Sequence, residues 1–207
     1  MITTIDKQDL IYFEQDILEC FEHKEIKSPI HLAGGNENEL IEIFQDVRPQ
    51  DWVCTTWRSH YECLLKGVPP KNLKKKIIDG YSISLCFRDY RVISSAIVGG
   101  ITPIALGLAK AAKEQNKDEK IYCFIGDMSA TTGIFFECWN YSVGHDLPIV
   151  WIIADNGKSV CTPTQKMWKF NRHHMDFNGV PIEKTKIIYY QYGHTFPHSG
   201  GGKHVPF

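Results

Sequence analysis

Two side chains carrying hard oxygen donors, Asp127 and Asn156, stand 29 positions apart, each just after a short apolar run: Lys120 to Ile125 for the first, Ile149 to Ile153 for the second. A strand end, one helix and one further strand span such a distance. Both side chains then belong at the same end of adjacent parallel strands, where the loops of an open α/β sheet converge on a ligand. A carboxylate, an amide oxygen and a backbone carbonyl, here that of Lys158, suit magnesium, which keeps some waters and takes its other oxygens from phosphates. The N–H groups of Met128 and Ser129 follow where the next helix should begin, and a helix start attracts phosphate. The chemistry implied is a magnesium diphosphate site. Spacing alone equally admits Asp127 as a helix cap and Asn156-Gly157 as a plain turn.

The elements that must position these groups follow from periodicity. Between the two apolar runs, Phe136, Trp139, Asn140 and Val143 recur at helical spacing over Thr132 to Val143. Strand, helix and strand with short connections make a right-handed crossover between parallel strands. The expected fold class is therefore α/β, a doubly wound and mostly parallel sheet with helices on both faces. Further helices are predicted over residues 7 to 25, Asn36 to Phe44, Lys71 to Ile78 after Pro69-Pro70, and Ile104 to Lys113. A short segment surrounds Cys54-Thr55-Thr56-Trp57, Gly80 to Ser95 reads as a ligand-approaching loop, and Lys186 to Tyr190 as one more strand. Gly193 to Phe207, rich in Gly, His and Pro, reads as an active-site loop or tail.

A chain of 207 residues, 43% hydrophobic, is long enough for one well-packed domain, taken here as residues 1 to 207. A net charge of -1 gives no electrostatic reason to expect nucleic acid or an anionic membrane as partner. The run Lys74-Lys75-Lys76 reads as a solvated helix face rather than a phosphate patch. Seven cysteines (20, 54, 63, 86, 123, 138 and 161), with no CxxC pair and several inside apolar runs, suit reduced thiols in the cytoplasm. The N-terminus has no basic segment leading into an apolar core, and no run reaches the ~20 apolar residues of a membrane span. A nucleotide loop at Gly200-Gly201-Gly202-Lys203 fails, because Pro197 and His204 occupy positions that need Gly and Ser or Thr.

Gly126-Asp127, followed at this spacing by Asp155-Asn156-Gly157, resembles the thiamine diphosphate motif that begins Gly-Asp-Gly and ends in Asn. The wider chain resembles the alpha subunit of the two-subunit thiamine diphosphate-dependent 2-oxo acid dehydrogenases that act on pyruvate, branched-chain 2-oxo acids and acetoin. The segments that carry the likeness are His31-Leu32 with Gly35-Asn36-Glu37, Asp51-Trp52-Val53 through Trp57-Arg58-Ser59-His60, and Lys66-Gly67-Val68. Ala96-Ile97-Val98-Gly99 with Pro103 and Gly107-Leu108-Ala109, and the loop Gly193-His194-Thr195, continue it in order.

The resemblance implies thiamine diphosphate and Mg2+ as cofactors. Asp127 and Asn156 would bind the metal by side chain and Lys158 by its carbonyl. Trp57 and Arg58 would hold the diphosphate together with Gly126, Met128 and Ser129, and Ala96 and Val98 would contact the aminopyrimidine. His60 and His194 would line the diphosphate end as catalytic groups, and His31 is a weaker candidate; without the resemblance each of these histidines reads first as a satisfied structural residue. A beta-type partner subunit would bring the pyrimidine-binding domain and the catalytic Glu, in an alpha2beta2 heterotetramer acting on a 2-oxo acid or a ketose.

Three residues depart from the family pattern: Met128 for the second Gly, Trp57 for Tyr, and Ser84 where His is frequent. The segment between Asn156 and His194 is also short, so a shortened C-terminal region is expected and docking of a lipoyl domain is not implied. Alternatives are a stand-alone carboligase or transketolase-like ketol or acyl transferase, as in sugar or acyloin synthesis, and a catalytically silent regulatory subunit.

Overall fold

The computed structural model describes residues 5–159, 162–169 and 186–196. Helix α1 (Lys7–Glu22) starts at a capping box in which Asp6 accepts from the N–H groups of Gln8 and Asp9 while Asp9 accepts from that of Asp6. It stops three residues before its predicted end, where Lys24 takes a left-handed φ of 63°. Helix α2 (Glu37–Phe44), strand β1 (Trp52–Thr55), α3 (His60–Leu65) and α4 (Pro70–Lys76) follow. The stretch expected as a loop contains β2 (Cys86–Phe87), a 3-10 turn and β3 (Val92–Ser94). Strands of two and three residues are too short to show a period, so only their pairing reveals them.

Helix α5 (Ile101–Glu114) begins three residues earlier than predicted, which places Pro103 in its first turn, where the missing N–H costs nothing. Strand β4 (Ile121–Gly126) then runs directly into a four-residue turn, α6 (Asp127–Ala130), before α7 (Gly133–Gly144), whose N-cap is Thr132. Strand β5 (Ile149–Asp155), a small antiparallel pair β6 (Lys158–Ser159) and β7 (Thr162–Pro163), α8 (Thr164–Trp168) and β8 (Ile187–Gln191) complete the described elements.

The six-stranded sheet has the order β2-β3-β1-β4-β5-β8, parallel throughout except for the antiparallel edge strand β2. Alternation along β4 and β5 builds two cores. Tyr122, Phe124 and Ile152 face α1 to α4, whereas Ile121, Cys123, Ile125, Trp151 and Ile153 face α5 and α7. The helices therefore cover both faces, as a parallel sheet requires. Trp151 donates its indole N–H to Ser142 at 3.0 Å, so even the fully buried ring on the second face has its one polar atom satisfied.

At the entry end, buried Asp51 accepts from the backbone N–H of Lys120 at 2.8 Å and from Arg48, clamping the starts of β1 and β4 together. Burial alone would raise its carboxyl, but these donors and the Arg48 charge outweigh it and hold the group below the usual carboxylate value. At the exit end, the chain leaves β1 towards β3 on one side and returns to β4 on the other. The strand order thus reverses between β1 and β4, the position where open α/β sheets leave a crevice. No helix of the described residues is long and apolar enough to cross a membrane.

Candidate active site

The crevice at the exit ends of β1, β4 and β5 is lined by Thr56, Trp57 and Arg58 after β1, by Gly126 to Ser129 after β4, and by Asn156 and Lys158 after β5. Its open space, counting the solvent at the mouth, is about 710 Å³. The parallel register that pairs Gly126 with Ala154 sets Asp127 one residue and Asn156 two residues beyond that pair, and both line one cleft.

Asp127 is 4% exposed, and the buried hydroxyl of Thr164 donates to its Oδ2, so the carboxylate is held in one orientation. The N–H of Thr164 in turn donates to the carbonyl of Gly157 at 3.1 Å, tying the strand after the Asn156 turn back to the same point. Asn156 Oδ1 accepts from the N–H of Lys158 at 3.1 Å, a local turn that fixes the amide without using its second lone pair. One carboxylate, one amide and one backbone carbonyl form a set distinct from a His/Cys/Asp/Glu cluster, and no cluster of three such residues that could hold a metal exists among the described residues.

Four residues of turn α6 cannot sum an appreciable dipole, so the phosphate attraction expected after Asp127 reduces to individual N–H groups and charged side chains. Met128 lines the cleft with no positive φ, which is why a side chain is accommodated where the motif has Gly. Arg58 brings a guanidinium able to meet phosphate through two N–H groups at once. The indole Nε1 of Trp57 is buried with no hydrogen-bond partner among the described residues. A buried donor left over in a cleft bordered by Arg58 and by hard oxygen donors fits an anionic, metal-bound ligand.

Four predicted residues lie elsewhere. His60 is fully buried outside the cleft lining: its Nδ1 faces Glu14 at 2.9 Å and its Nε2 faces Ser82 at 2.9 Å. Glu, His and Ser in series imitate a nucleophile relay, but Ser82 is 0% exposed, so no substrate reaches it and the series acts as a buried tie between α1 and α3. His60, expected among the catalytic groups, thus stands apart from the cleft. His194 also stays outside the lining, donating from Nε2 to the carbonyl of Leu32 at 3.0 Å. Burial and the nearby Arg58 charge depress it to about 4, so it is neutral near pH 7. Ala96 and Val98 sit in the exposed loop after β3, at the same end of the sheet but not in the cleft. The weaker candidate His31 is buried, its ring 5.8 Å from that of Trp57, and so backs the Trp57 side of the cleft without lining it. Residues 197–207 of the predicted loop or tail, including Gly200 to Lys203, lie outside the described residues, as does Cys161.

The cleft also holds groups that the sequence reading overlooked. Glu62, on α3, is 6% exposed and lines the deep wall, accepting at Oε1 from the Thr55 hydroxyl at 3.0 Å. Its signal was a lone carboxylate inside the run Tyr61-Glu62-Cys63-Leu64-Leu65, where burial was the natural expectation. Tyr192, just past β8, borders the cleft beside the Asn156 amide, and burial pushes its phenol up to about 12. Tyr190 accepts from the Asn36 amide at 3.0 Å.

The chain matches the family described as dehydrogenase E1 component over residues 7–182. It is 29% identical over 160 residues to the alpha subunit of acetoin:2,6-dichlorophenolindophenol oxidoreductase from Cupriavidus necator, covering 72% of this chain and 48% of that one. To the pyruvate dehydrogenase E1 component subunit alpha of Porphyra purpurea it is 28% identical over 144 residues, covering 61% and 42%. To the acetoin oxidoreductase alpha subunit of Bacillus subtilis it is 27% identical over 161 residues, covering 73% and 48%. The chain thus spans about half the length of the curated relatives it matches.

Proposed function

Since the chain belongs to the dehydrogenase E1 component family, we propose that it is an alpha-type subunit of a thiamine diphosphate- and Mg2+-dependent enzyme that decarboxylates a 2-oxo acid and passes on the acyl unit. The observation that carries this reading is the meeting of Trp57, Arg58, Asp127, Asn156 and Lys158, from the exit loops of three strands, in the one cleft at the strand-order reversal.

When bound, thiamine diphosphate supplies the nucleophilic carbon and electron sink of the reaction. The chain's own residues bind and orient it. Arg58 and the Trp57 N–H hold the diphosphate oxygens, and Asp127, Asn156 and the Lys158 carbonyl hold the cation, with Thr164 keeping the carboxylate turned inward. Neutral His194 fixes the far loop through Leu32. The pyrimidine end belongs to Ala96 and Val98. Their loop is flanked by exposed Ile97, Val98, Ile104 and Ile134, an apolar surface that a beta-type partner bearing the activating carboxylate would cover in an alpha2beta2 assembly. The six described cysteines are free thiols, five of them buried, which supports a reducing compartment such as the cytoplasm.

Calorimetric titration of thiamine diphosphate with Mg2+ into the chain, alone and with its partner subunit, tests the reading. Saturable, Mg2+-dependent binding is expected, followed by release of CO2 from a 2-oxo acid only in the mixed assembly. Absence of binding in both arms would leave the silent-subunit alternative.

A further inference from the structure

Glu62 presents an unusual group to a cleft read as an anion site. Its residue surface is 94% buried, and Oε1 is occupied by the Thr55 hydroxyl. Oε2 is buried and has no hydrogen-bond partner among the described residues. An ionised carboxylate can only accept hydrogen bonds, and phosphate oxygens only accept too, so the two would repel across the cleft. A carboxylic acid reverses this, because its one hydrogen sits on the oxygen that Thr55 leaves vacant.

We infer that Glu62 is a further binding residue for the diphosphate, entering the complex in its acid form and donating from Oε2 to a phosphate oxygen, so that each ligand molecule is taken up with one proton from solvent. The inference rests on the diphosphate reading of the cleft. In the step, one O–H bond forms on Oε2 and nothing is oxidised or reduced.

Burial decides the balance at Glu62. Glu14 on α1 adds to it, whereas Glu62's own backbone N–H, the Thr55 hydroxyl and His60 on the same helix favour the carboxylate and are outweighed; Glu37 on α2 is engaged by the Tyr61 hydroxyl. Tyr61, Tyr190 and Tyr192 are all held un-ionised, their phenols pushed up chiefly by burial, so none adds charge of its own. Across the cleft stand Arg58 and Lys158, the cations that a diphosphate would engage, and Asp127, the carboxylate a cation would engage. Burial already raises Glu62 to about 7 in the free chain, and a bound polyanion raises it further.

The test is titration of thiamine diphosphate with Mg2+ into the intact chain with its partner subunit, at pH 7.5 and 8.5, in two buffers of different ionisation enthalpy. This range lies above the last phosphate ionisation, roughly pH 6, so the ligand contributes little. Uptake approaching one proton is expected, with affinity falling on the order of tenfold per pH unit. Glu62→Gln keeps a neutral donor and should bind with less pH dependence, overtaking the unsubstituted protein at pH 8.5. Binding with no proton uptake by the unsubstituted protein, or with one pH slope shared by both proteins, overturns the inference while leaving the diphosphate reading intact. No binding by either at any pH overturns both. The uptake measurement needs no variant, so misfolding of Glu62→Gln would not leave the question open.

Discussion

Trp57→Phe should separate affinity from stability, because its polar atom is buried without a partner in the free chain. An unsatisfied buried N–H costs ~1–3 kcal/mol, which the folded chain recovers when Phe removes it. Against this stands the packing lost with the second ring, including part of the contact to His31, whose ring centroid lies 5.8 Å away, a loss of ~1–2 kcal/mol. These terms oppose one another, so unfolding free energy should change by about 1 kcal/mol or less. In the complex the indole donates to a charged phosphate oxygen, a bond worth ~1.5–3 kcal/mol. At 1.4 kcal/mol per decade, its loss weakens thiamine diphosphate binding roughly 10- to 150-fold. Denaturant unfolding of the free chain and calorimetric titration of the assembly measure the two quantities. A fall in stability of more than about 3 kcal/mol with unchanged affinity would refute the assignment and make Trp57 a packing residue.

Thr164→Val removes the hydroxyl that orients Asp127; about 10- to 100-fold more Mg2+ should be needed for half-saturation, read from cofactor binding at varied metal concentration. Gly35→Ala puts a Cβ 2.0 Å from the Gly193 carbonyl at a φ of 94°, so stability should drop by ~1–3 kcal/mol in denaturant and the His194 loop should lose hydrogen-exchange protection. Glu14→Ala leaves the His60 ring and the N–H of Ala33 without their acceptor, and should cost ~2–4 kcal/mol in unfolding while leaving the pH profile of turnover in place; a changed profile would return His60 to a catalytic role. Glu62 is raised from 4.5 to about 7, so the folded chain holds more protons than the unfolded one in that window. Stability of the free chain should therefore fall as pH rises from about 4.5 to 7, by up to ~3 kcal/mol relative to Glu62→Gln, as followed by thermal unfolding.

The central crossover was legible because its strands are apolar for six or seven residues and its helix repeats cleanly; Asp127 and Asn156 fell into place from that alone. Strands β2 and β3 were not, since Cys86-Phe87 and Val92-Ile93-Ser94 acquire their identity only by pairing with one another and with β1. The histidines show a second limit. A motif records that His60 stands three residues past Trp57, yet helix α3 turns its ring to the α1 side, where Glu14, 46 positions earlier, captures it. Residue type announces chemistry; long-range partners decide whether that chemistry reaches the cleft. Glu62 illustrates the converse, a residue without a motif that its neighbours leave lining the cleft.

The Gly34-Gly35 backbone abuts residues 193 to 195, and beside that contact the cleft is lined by Ala33 and Asn36 on one part of the chain and by Tyr190 and Tyr192 about 160 residues later. During synthesis the early helices and β1 can pack as they emerge, but the pocket stays open on one side until Tyr192 and the turn after it have been made. The cleft is consequently completed late in the life of the nascent chain, and an interrupted polypeptide that already has Asp127 and Asn156 would still lack one of its walls.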